Sequence, residues 1–325
     1  MNKNVAITAT GHFVPERIID NKFLSKFLEN KLTAAQILDK TGIEERRYAT
    51  NLSTTDMVVM AVNDLLTKSK STIEDIDCLI VGTLTPDYFF PSTAVNAVNK
   101  LGAINAWGFD VSAACSGFCY GVSIASDMIK SGTARKVIVC GSDLMSETLN
   151  SFDYKTKVLF GDGAGAVLLE ATDSNTNKIN GKLCKVKADN LEIEEVYYKT
   201  PFFAEGDWND EKFELQGGQV YRAGVSVMIG AINEYLKSNN LTLEDFNYII
   251  PHQANLNMLK EIAEGIDKPL DFFKINIQTR GNTGGASIPI CLSEFVDNGE
   301  IERGDRMLLV SFGAGYTFSV IDFTF

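Results

Sequence analysis

The feature that most restricts how this chain can fold is a self-similarity at a separation of 170 residues. Residues 57–83 align without a gap with residues 227–253, and each copy predicts an amphipathic helix, a polar turn ending in an acidic pair, and a buried apolar strand. A repeat of half the chain is too long for a solenoid and indicates a duplicated α/β domain. The identical pairs are Ala61/Ala231, Asn63/Asn233, Leu66/Leu236, Thr72/Thr242, Glu74/Glu244, Asp75/Asp245 and Ile80/Ile250.

A second internal match supports the same division of the chain. Residues 129–143 resemble residues 301–315 when two residues are dropped, which predicts a helix end, a glycine stop and an apolar strand in each copy. We therefore predict an N-terminal half at 1–172 and a C-terminal half at 173–325. Residues 190–219 have no counterpart in the first half, which indicates an inserted lid or substrate loop.

Composition excludes several classes of function. The net charge of −12 disfavours nucleic acid and anionic membranes as partners, and an acidic carrier protein would need a local basic patch. There is no uninterrupted apolar run of about eighteen residues, and the N-terminus alternates like a strand, so we expect neither a membrane span nor a signal peptide. The six cysteines match no paired metal-binding spacing. These features favour a cytoplasmic protein with reduced thiols and no metal.

The stretch DVSAACSGF places Cys115 between small residues where a strand gives way to a helix. Unpaired N–H groups in the first turn of that helix would face the sulfur and favour a thiolate, and the small neighbours would leave it accessible. The alternative is a small, buried helix cysteine, which suits Cys119, Cys140 and Cys291 better than Cys115.

Three further loops join strands to small-residue turns. His252 directly follows an apolar strand, although a lone histidine in that place is more often structural. Asn282, in GNTGGAS, offers a neutral amide, or it simply turns the chain in the left-handed conformation. Residues 311–318 could supply a backbone N–H to an oxyanion.

The glycine-rich stretch 160–170 lacks a Gly-Lys-Ser/Thr ending, and we interpret it as a packing turn rather than a phosphate loop.

Together these segments resemble the thiolase superfamily, and most closely the beta-ketoacyl-acyl carrier protein synthase III type of condensing enzyme. That family implies a five-layered αβαβα fold with an internal duplication. It also implies condensation rather than thiolytic degradation, because the last glycine loop has no second cysteine. The matching motifs, in family order, are TGIEERR, IDCLIVGTLTPD, FPSTA, DVSAACSGF, FGDGAGAVLLE, PHQAN, GNTGGASIP and SFGAGYTF.

The resemblance implies a role for each matched residue. Cys115 would accept an acyl group from a thioester, and His252 and Asn282 would bind the carbonyl of a malonyl-type thioester as it loses carbon dioxide. The N–H groups of Cys115 and Ala314, in the loop that begins at Gly313, would hold the oxyanion during condensation. Phe90 would reach across a dimer interface to close the acyl pocket of the partner, so a homodimer is expected.

Some contacts that the family uses for coenzyme A are changed in this sequence. Gln36 and Lys40 stand where an adenine-stacking aromatic residue and a basic residue are usual, Tyr154 replaces a basic residue, and Asn257 replaces an arginine. We therefore predict a carrier-bound or longer acyl donor, and a pocket near Asn282 that the Gly-Gly pair of GNTGGAS widens. The predicted substrate-binding residues are Phe90, Lys40, Asn255 and Asn257.

Two other functions fit the same motifs. One is a ketosynthase/cyclase or acyltransferase of a secondary pathway, of the dialkylresorcinol, aryl-polyene or quinolone type. The other is a non-catalytic partner subunit, which the presence of the cysteine, histidine and asparagine disfavours. The leading prediction is a condensing enzyme of fatty acid biosynthesis that needs no cofactor or metal. Its partners would be acyl carrier protein and acyl or malonyl thioesters on that carrier or on coenzyme A.

Overall fold

The computed structural model describes residues 4–149, 153–187, 196–197 and 214–325, so most of the insertion predicted at 190–219 lies outside the described residues. Within those residues, no helix is long and apolar enough to cross a bilayer. The helices are α1 (Asn21–Phe27), α2 (Ala34–Thr41), α3 (Thr54–Lys68), α4 (Thr93–Leu101), α5 (Gly117–Ser131), α6 (Met145–Thr148), α7 (Tyr154–Lys157), α8 (Gly217–Asn239), α9 (Leu256–Gly265), α10 (Ile277–Arg280) and α11 (Ser287–Asp297). The strands are β1 (Asn4–Phe13), β2 (Arg17–Asp20), β3 (Glu45–Tyr48), β4 (Cys78–Gly82), β5 (Trp107–Val111), β6 (Lys136–Asp143), β7 (Gly163–Thr172), β8 (Ile179–Val186), β9 (Val196–Tyr197), β10 (Glu214–Leu215), β11 (Tyr248–Pro251), β12 (Arg306–Gly313) and β13 (Thr317–Thr324).

Two main sheets repeat one strand order. The first has the order β1-β7-β6-β4-β5, and the second has the order β8-β13-β12-β11. In each sheet the first two strand pairs in this order are antiparallel and the third is parallel. The first sheet continues with β5, which pairs in parallel with β4, and the second sheet has at the equivalent place only a parallel bridge between Ile249 and Phe273. The internal duplication predicted from the 170-residue repeat is confirmed.

The helices and sheets stack in alternating layers. Helices α3 and α4 cover the outer face of the first sheet, α5 and α11 lie between the two sheets, and α8, backed by α9, covers the outer face of the second. One apolar core joins the inner faces of both sheets to α5 and α11, and a separate core lies on the outer side of each sheet. The predicted five-layered α/β fold is confirmed.

The repeated segment folds the same way in both halves. Helix α3 leads through a short 3-10 turn to β4, and α8 leads through an equivalent turn to β11. The acidic pair explains the turn, because the second acid of each pair accepts a hydrogen bond from a threonine N–H three residues earlier. These bonds run from Thr72 to Asp75 at 2.9 Å and from Thr242 to Asp245 at 2.7 Å.

The second internal match is only partly right. Helix α5 ends as predicted at a left-handed glycine, Gly132, before β6 begins. Helix α11, however, ends at Asp297, and residues 301–304 form a turn before β12 rather than a helix end. In this turn Gly304, also at positive φ, donates its N–H to the Phe325 carbonyl. A glycine after a polar run marks either kind of chain reversal, so the pattern alone does not separate them.

Candidate active site

Cys115 lies in a tight turn between β5 and α5. Residues Ala114–Ser116 form a single 3-10 turn, and Ala114 has φ +48°, a left-handed conformation that costs energy in alanine. Gly313 packs directly against this turn, since a Cβ there would lie 2.8 Å from the Cys115 nitrogen. The small residues noted in the sequence thus allow close packing of the backbone around a half-buried sulfur.

The surroundings of Cys115 do not favour the resting thiolate that the sequence predicted. Burial raises the pKa of the Cys115 thiol to about 12, and the nearby Asp143 carboxylate acts in the same direction. The backbone N–H of Cys115 itself acts the other way, but it does not outweigh burial. The sulfur therefore keeps its proton at neutral pH and must lose it as it attacks a substrate.

His252 follows β11 and is almost completely buried. Its backbone N–H donates to the Val310 carbonyl at 2.8 Å, which continues the pairing of β11 with β12. Its Nδ1 lies 2.7 Å from the hydroxyl of Ser287, the first residue of α11. Burial lowers the pKa of the imidazole to about 4, so the ring is neutral at physiological pH. Sequence reasoning missed Ser287, although its hydroxyl ends the motif GNTGGAS that had already been singled out.

Asn282 is fixed by backbone bonds to the glycine-rich segment after α7. The Asn282 N–H donates to the Leu159 carbonyl at 2.9 Å, and its own carbonyl accepts from the Gly161 N–H at 2.9 Å. Its side-chain oxygen accepts from the Gly284 N–H at 3.0 Å. The side chain is buried, with the amide nitrogen left for another partner. The stretch 160–170 thus supports the Asn282 loop, in line with its interpretation as a packing turn.

The turns that carry these residues meet at the boundary of the two halves. The Ala114–Ser116 turn contacts the Gly284–Ala286 turn, which follows Asn282, and also the Ala314–Tyr316 turn, which follows Gly313. A buried hydrogen bond of 3.0 Å between the hydroxyls of Ser311 and Ser116 ties β12 to the cysteine turn. The structure thus packs the turn of Cys115 against the turns that follow Asn282 and Gly313, and His252 contacts Ser287 at the end of the first of these.

Gly284, the first glycine of the pair in GNTGGAS, leaves no extra room, contrary to the prediction for this position. Gly284 has φ +57°, and a Cβ there would overlap the Asp143 carboxylate. At Gly285 a Cβ would have ordinary contacts, 3.4 Å from Asp143 Oδ2 and 3.7 Å from the Ala114 oxygen. The Asp143 carboxylate therefore fills the space that a side chain at Gly284 would need.

The remaining predicted substrate residues lie apart from this group. The Asn255 and Asn257 side chains donate to the carbonyls of Lys40 and Asp39, at 3.1 and 2.8 Å, and so tie α9 to the end of α2. The Lys40 side chain is exposed. Phe90 is 86 % exposed on the loop between β4 and α4. Their roles toward a substrate stay predictions.

Among the described residues, one cluster has the composition of a metal site. The side chains of His12, Asp64 and Asp297 come within 4.8 Å of one another. The Lys68 ammonium lies 2.6 Å from each of the two carboxylates, so a lysine supplies the positive charge there. Nothing in this cluster touches the turns around Cys115, and the expectation that the protein needs no metal stays a prediction.

A duplicated five-layered α/β fold with a cysteine turn at the junction of its halves defines the thiolase-like class of condensing enzymes. Two family models match the chain: 3-oxoacyl-[acyl-carrier-protein (ACP)] synthase III over residues 109–187, and the C-terminal part of the same synthase over 236–323. The chain belongs to the beta-ketoacyl-[acyl-carrier-protein] synthase III family of acyltransferase-type condensing enzymes.

Individual relatives match over nearly the whole chain. The beta-ketoacyl-[acyl-carrier-protein] synthase III of Clostridium tetani is 41 % identical, over 98 % of this chain and 97 % of its own. The crystal structure of 3-oxoacyl-[acyl-carrier-protein] synthase III from Aquifex aeolicus VF5 superposes with a TM-score of 0.91 at 33 % identity, covering 99 % of this chain and 100 % of its own. The enzyme from Pseudomonas aeruginosa PAO1 gives 0.92 at 29 % identity, covering 99 % and 98 %. These matches do not favour the ketosynthase/cyclase or the non-catalytic alternative.

Proposed function

We propose that this protein transfers an acyl group from a thioester to Cys115 and then condenses it with a malonyl-type thioester on acyl carrier protein. The observation that carries the proposal is the packing of the Cys115 turn against the loops of Asn282 and Gly313, with neutral His252 joined to them through Ser287. The Cys115 thiol, the His252 imidazole and the Asn282 amide would then act at one site in two successive reactions, acyl transfer and condensation.

In the first reaction the Cys115 sulfur attacks the carbonyl carbon of the acyl thioester. A new carbon–sulfur bond forms, the old one breaks, and the thiol proton leaves with the departing carrier or coenzyme A thiol. Since burial raises the pKa of Cys115 to about 12, a relay must carry this proton. Neutral His252 can serve, because the Ser287 hydroxyl can accept from or donate to Nδ1 and so suits either tautomer.

In the second reaction the malonyl thioester loses carbon dioxide and leaves an enolate. Hydrogen bonds from His252 and from the Asn282 amide nitrogen would stabilise the enolate oxygen. The enolate carbon attacks the acyl group on Cys115, and the N–H groups of Cys115 and Ala314 hold the negative oxygen of the intermediate. The bond between the acyl carbon and the Cys115 sulfur then breaks, which releases a 3-ketoacyl thioester, and the thiolate that is left takes up a proton from water to restore the resting thiol.

The proposed acyl donor is a carrier-bound or longer acyl thioester rather than acetyl-CoA. Where α2 meets α9, the Asn257 amide donates to the Asp39 carbonyl and leaves no guanidinium for a phosphate. We expect acyl carrier thioesters to label Cys115 at least about tenfold faster than acetyl-CoA, the size of effect that losing a charged hydrogen bond produces. Intact mass spectrometry after short incubations measures both rates, and rapid acetylation by acetyl-CoA would contradict the donor preference alone.

We also propose that the protein is a cytoplasmic homodimer. All six of its cysteines are free, which suits a reducing compartment. Strand β5 is the edge of the first sheet, and apolar side chains beside it are exposed: Ile104 at 84 %, Trp107 at 49 % and Phe90 at 86 %. An uncovered strand edge next to exposed aromatic groups is a surface that another copy of the chain can pair with.

The dimer can be tested by placing charge on this edge. Ile104→Lys combined with Trp107→Lys is expected to lower the sedimentation mass from that of two chains to that of one, because a buried unpaired ammonium is costly. Ile18→Lys is the matched control, since Ile18 is 52 % exposed on β2, which belongs to a separate two-stranded sheet. A wild-type protein that sediments as a single chain at micromolar concentration would rule the homodimer out.

A further inference from the structure

Asp143 is a buried carboxylate with hydrogen-bond partners in both halves of the molecule. It is the last residue of β6 and has no exposed surface. Its Oδ1 accepts from the Leu84 N–H at 2.6 Å and from the Thr83 hydroxyl at 3.2 Å. Its Oδ2 accepts from the Gly285 N–H at 2.6 Å. One side chain thus ties the loop after β4, which leads to Phe90, to the turn after Asn282.

The bond to Gly285 bears directly on the position of Asn282. The Asn282 side-chain oxygen holds the N–H of Gly284, and Asp143 holds the N–H of the next residue. The same turn packs against the Ala114–Ser116 turn that carries Cys115. Release of Gly285 would therefore loosen first the loop that positions the Asn282 amide.

Gly284 makes this approach possible. Its φ of +57° and its missing side chain leave the space that the Asp143 carboxylate fills, and a Cβ would overlap that carboxylate. Burial raises the pKa of Asp143 to about 7, and when ionised this carboxylate adds to the raised pKa of the Cys115 thiol, of which burial is the larger cause. The Asp143 charge raises the pKa of two nearby thiols, those of Cys115 and Cys140. The two segments that donate hydrogen bonds to Asp143, residues 83–85 and 284–286, contain no ionisable side chain.

We infer that Asp143 is a positioning residue for condensation: through the Gly285 N–H it holds the Asn282 loop against the turn that carries Cys115. The inference rests on the proposed function and adds a residue to it. Loss of this residue should therefore affect the two reactions differently. Loss of the carboxylate should impair the step that depends on Asn282, but it should not slow attack by the sulfur, because removing a negative charge favours the thiolate.

Asp143→Asn tests this role with little change of shape. An amide can accept from Leu84 or from Gly285 but not from both, because its nitrogen is a donor. We expect kcat for condensation to fall about tenfold to a hundredfold, the range for loss of a hydrogen bond to a charged group, with KM for the malonyl thioester nearly unchanged. Acylation of Cys115 should be as fast as in the wild type or faster.

The pH dependence of Cys115 alkylation supplies a second measurement, which reports whether the ionised Asp143 carboxylate lies near the sulfur. In Asp143→Asn the alkylation profile of the Cys115 peptide should move to lower pH. Asp322→Asn is the matched control: Asp322 is equally buried, but its partners are Arg306, Tyr235 and Asn180. That variant should keep the wild-type ratio of acylation to condensation and the wild-type profile.

Gly284→Ala approaches the same contact from the other side. Its Cβ would displace the carboxylate, so this variant should also lose condensation more than acylation. Equal losses in both reactions for either variant would overturn the inference. The wild-type protein separates this failure from a failure of the proposed function: if it condenses normally, only the role of Asp143 is wrong.

Discussion

Replacement of Cys115 by alanine is expected to abolish acyl transfer and to lower condensation by at least about a thousandfold, since no other group can form the thioester intermediate. The fold should persist, because Cys115 is only half-buried and the residue before it, Ala114, is already an alanine. Intact mass spectrometry after incubation with an acyl thioester detects the missing adduct, and thermal unfolding shows whether the protein remains native.

Cys119→Ala is the control for this experiment. Cys119 lies one helical turn further along, fully buried in the apolar core between the two sheets. Its replacement should cost about 1 kcal/mol or more of stability through lost packing, yet leave acylation intact. An acyl adduct that persisted in Cys115→Ala and disappeared in Cys119→Ala would show that Cys119, and not Cys115, is the nucleophile.

The second large effect is expected for Asn282→Ala. Removing one hydrogen-bond donor from a site of developing negative charge typically costs about a hundredfold to a thousandfold in rate, so condensation should fall by that amount. Acylation of Cys115 should change only a few-fold, because the first reaction does not use the amide. Single-turnover acylation and steady-state condensation with a malonyl thioester measure the two rates separately.

Asn282→Asp separates donation from loop structure. An aspartate keeps the oxygen that accepts from the Gly284 N–H at 3.0 Å but has no N–H to offer the substrate. It should therefore resemble the alanine variant in condensation. If it behaved like the wild type, or if the alanine variant lost both reactions equally, Asn282 would act only by shaping its loop.

The architecture could be predicted because its signals are local and occur twice. A helix, a 3-10 turn closed by its own aspartate, and a strand need only neighbouring residues, and the pairs Thr72/Asp75 and Thr242/Asp245 carry that information in both halves. The Cys115, His252 and Asn282 segments could likewise be picked out, since each is a strand end or small-residue turn with one reactive group.

The contacts between residues far apart along the chain could not be predicted. Asp143 and Ser287 act on residues 142 and 35 positions away, and nothing in their local sequence reveals those partners. The same limit explains the predicted thiolate at Cys115, since a helix start is visible in the sequence but burial by distant segments is not. Gly284 showed the converse: a missing side chain predicted open space, and a carboxylate from the other half fills it.

The central pair of helices, α5 and α11, has a consequence for how the molecule comes apart. Each half contributes one helix to a core that both sheets share, so melting either half would strip the apolar cover from the other. The described parts of the two halves should therefore denature in a single cooperative transition, without a half-folded intermediate. Local unfolding that would move Cys115 away from Asn282 should then be rare until the temperature approaches the midpoint of global unfolding.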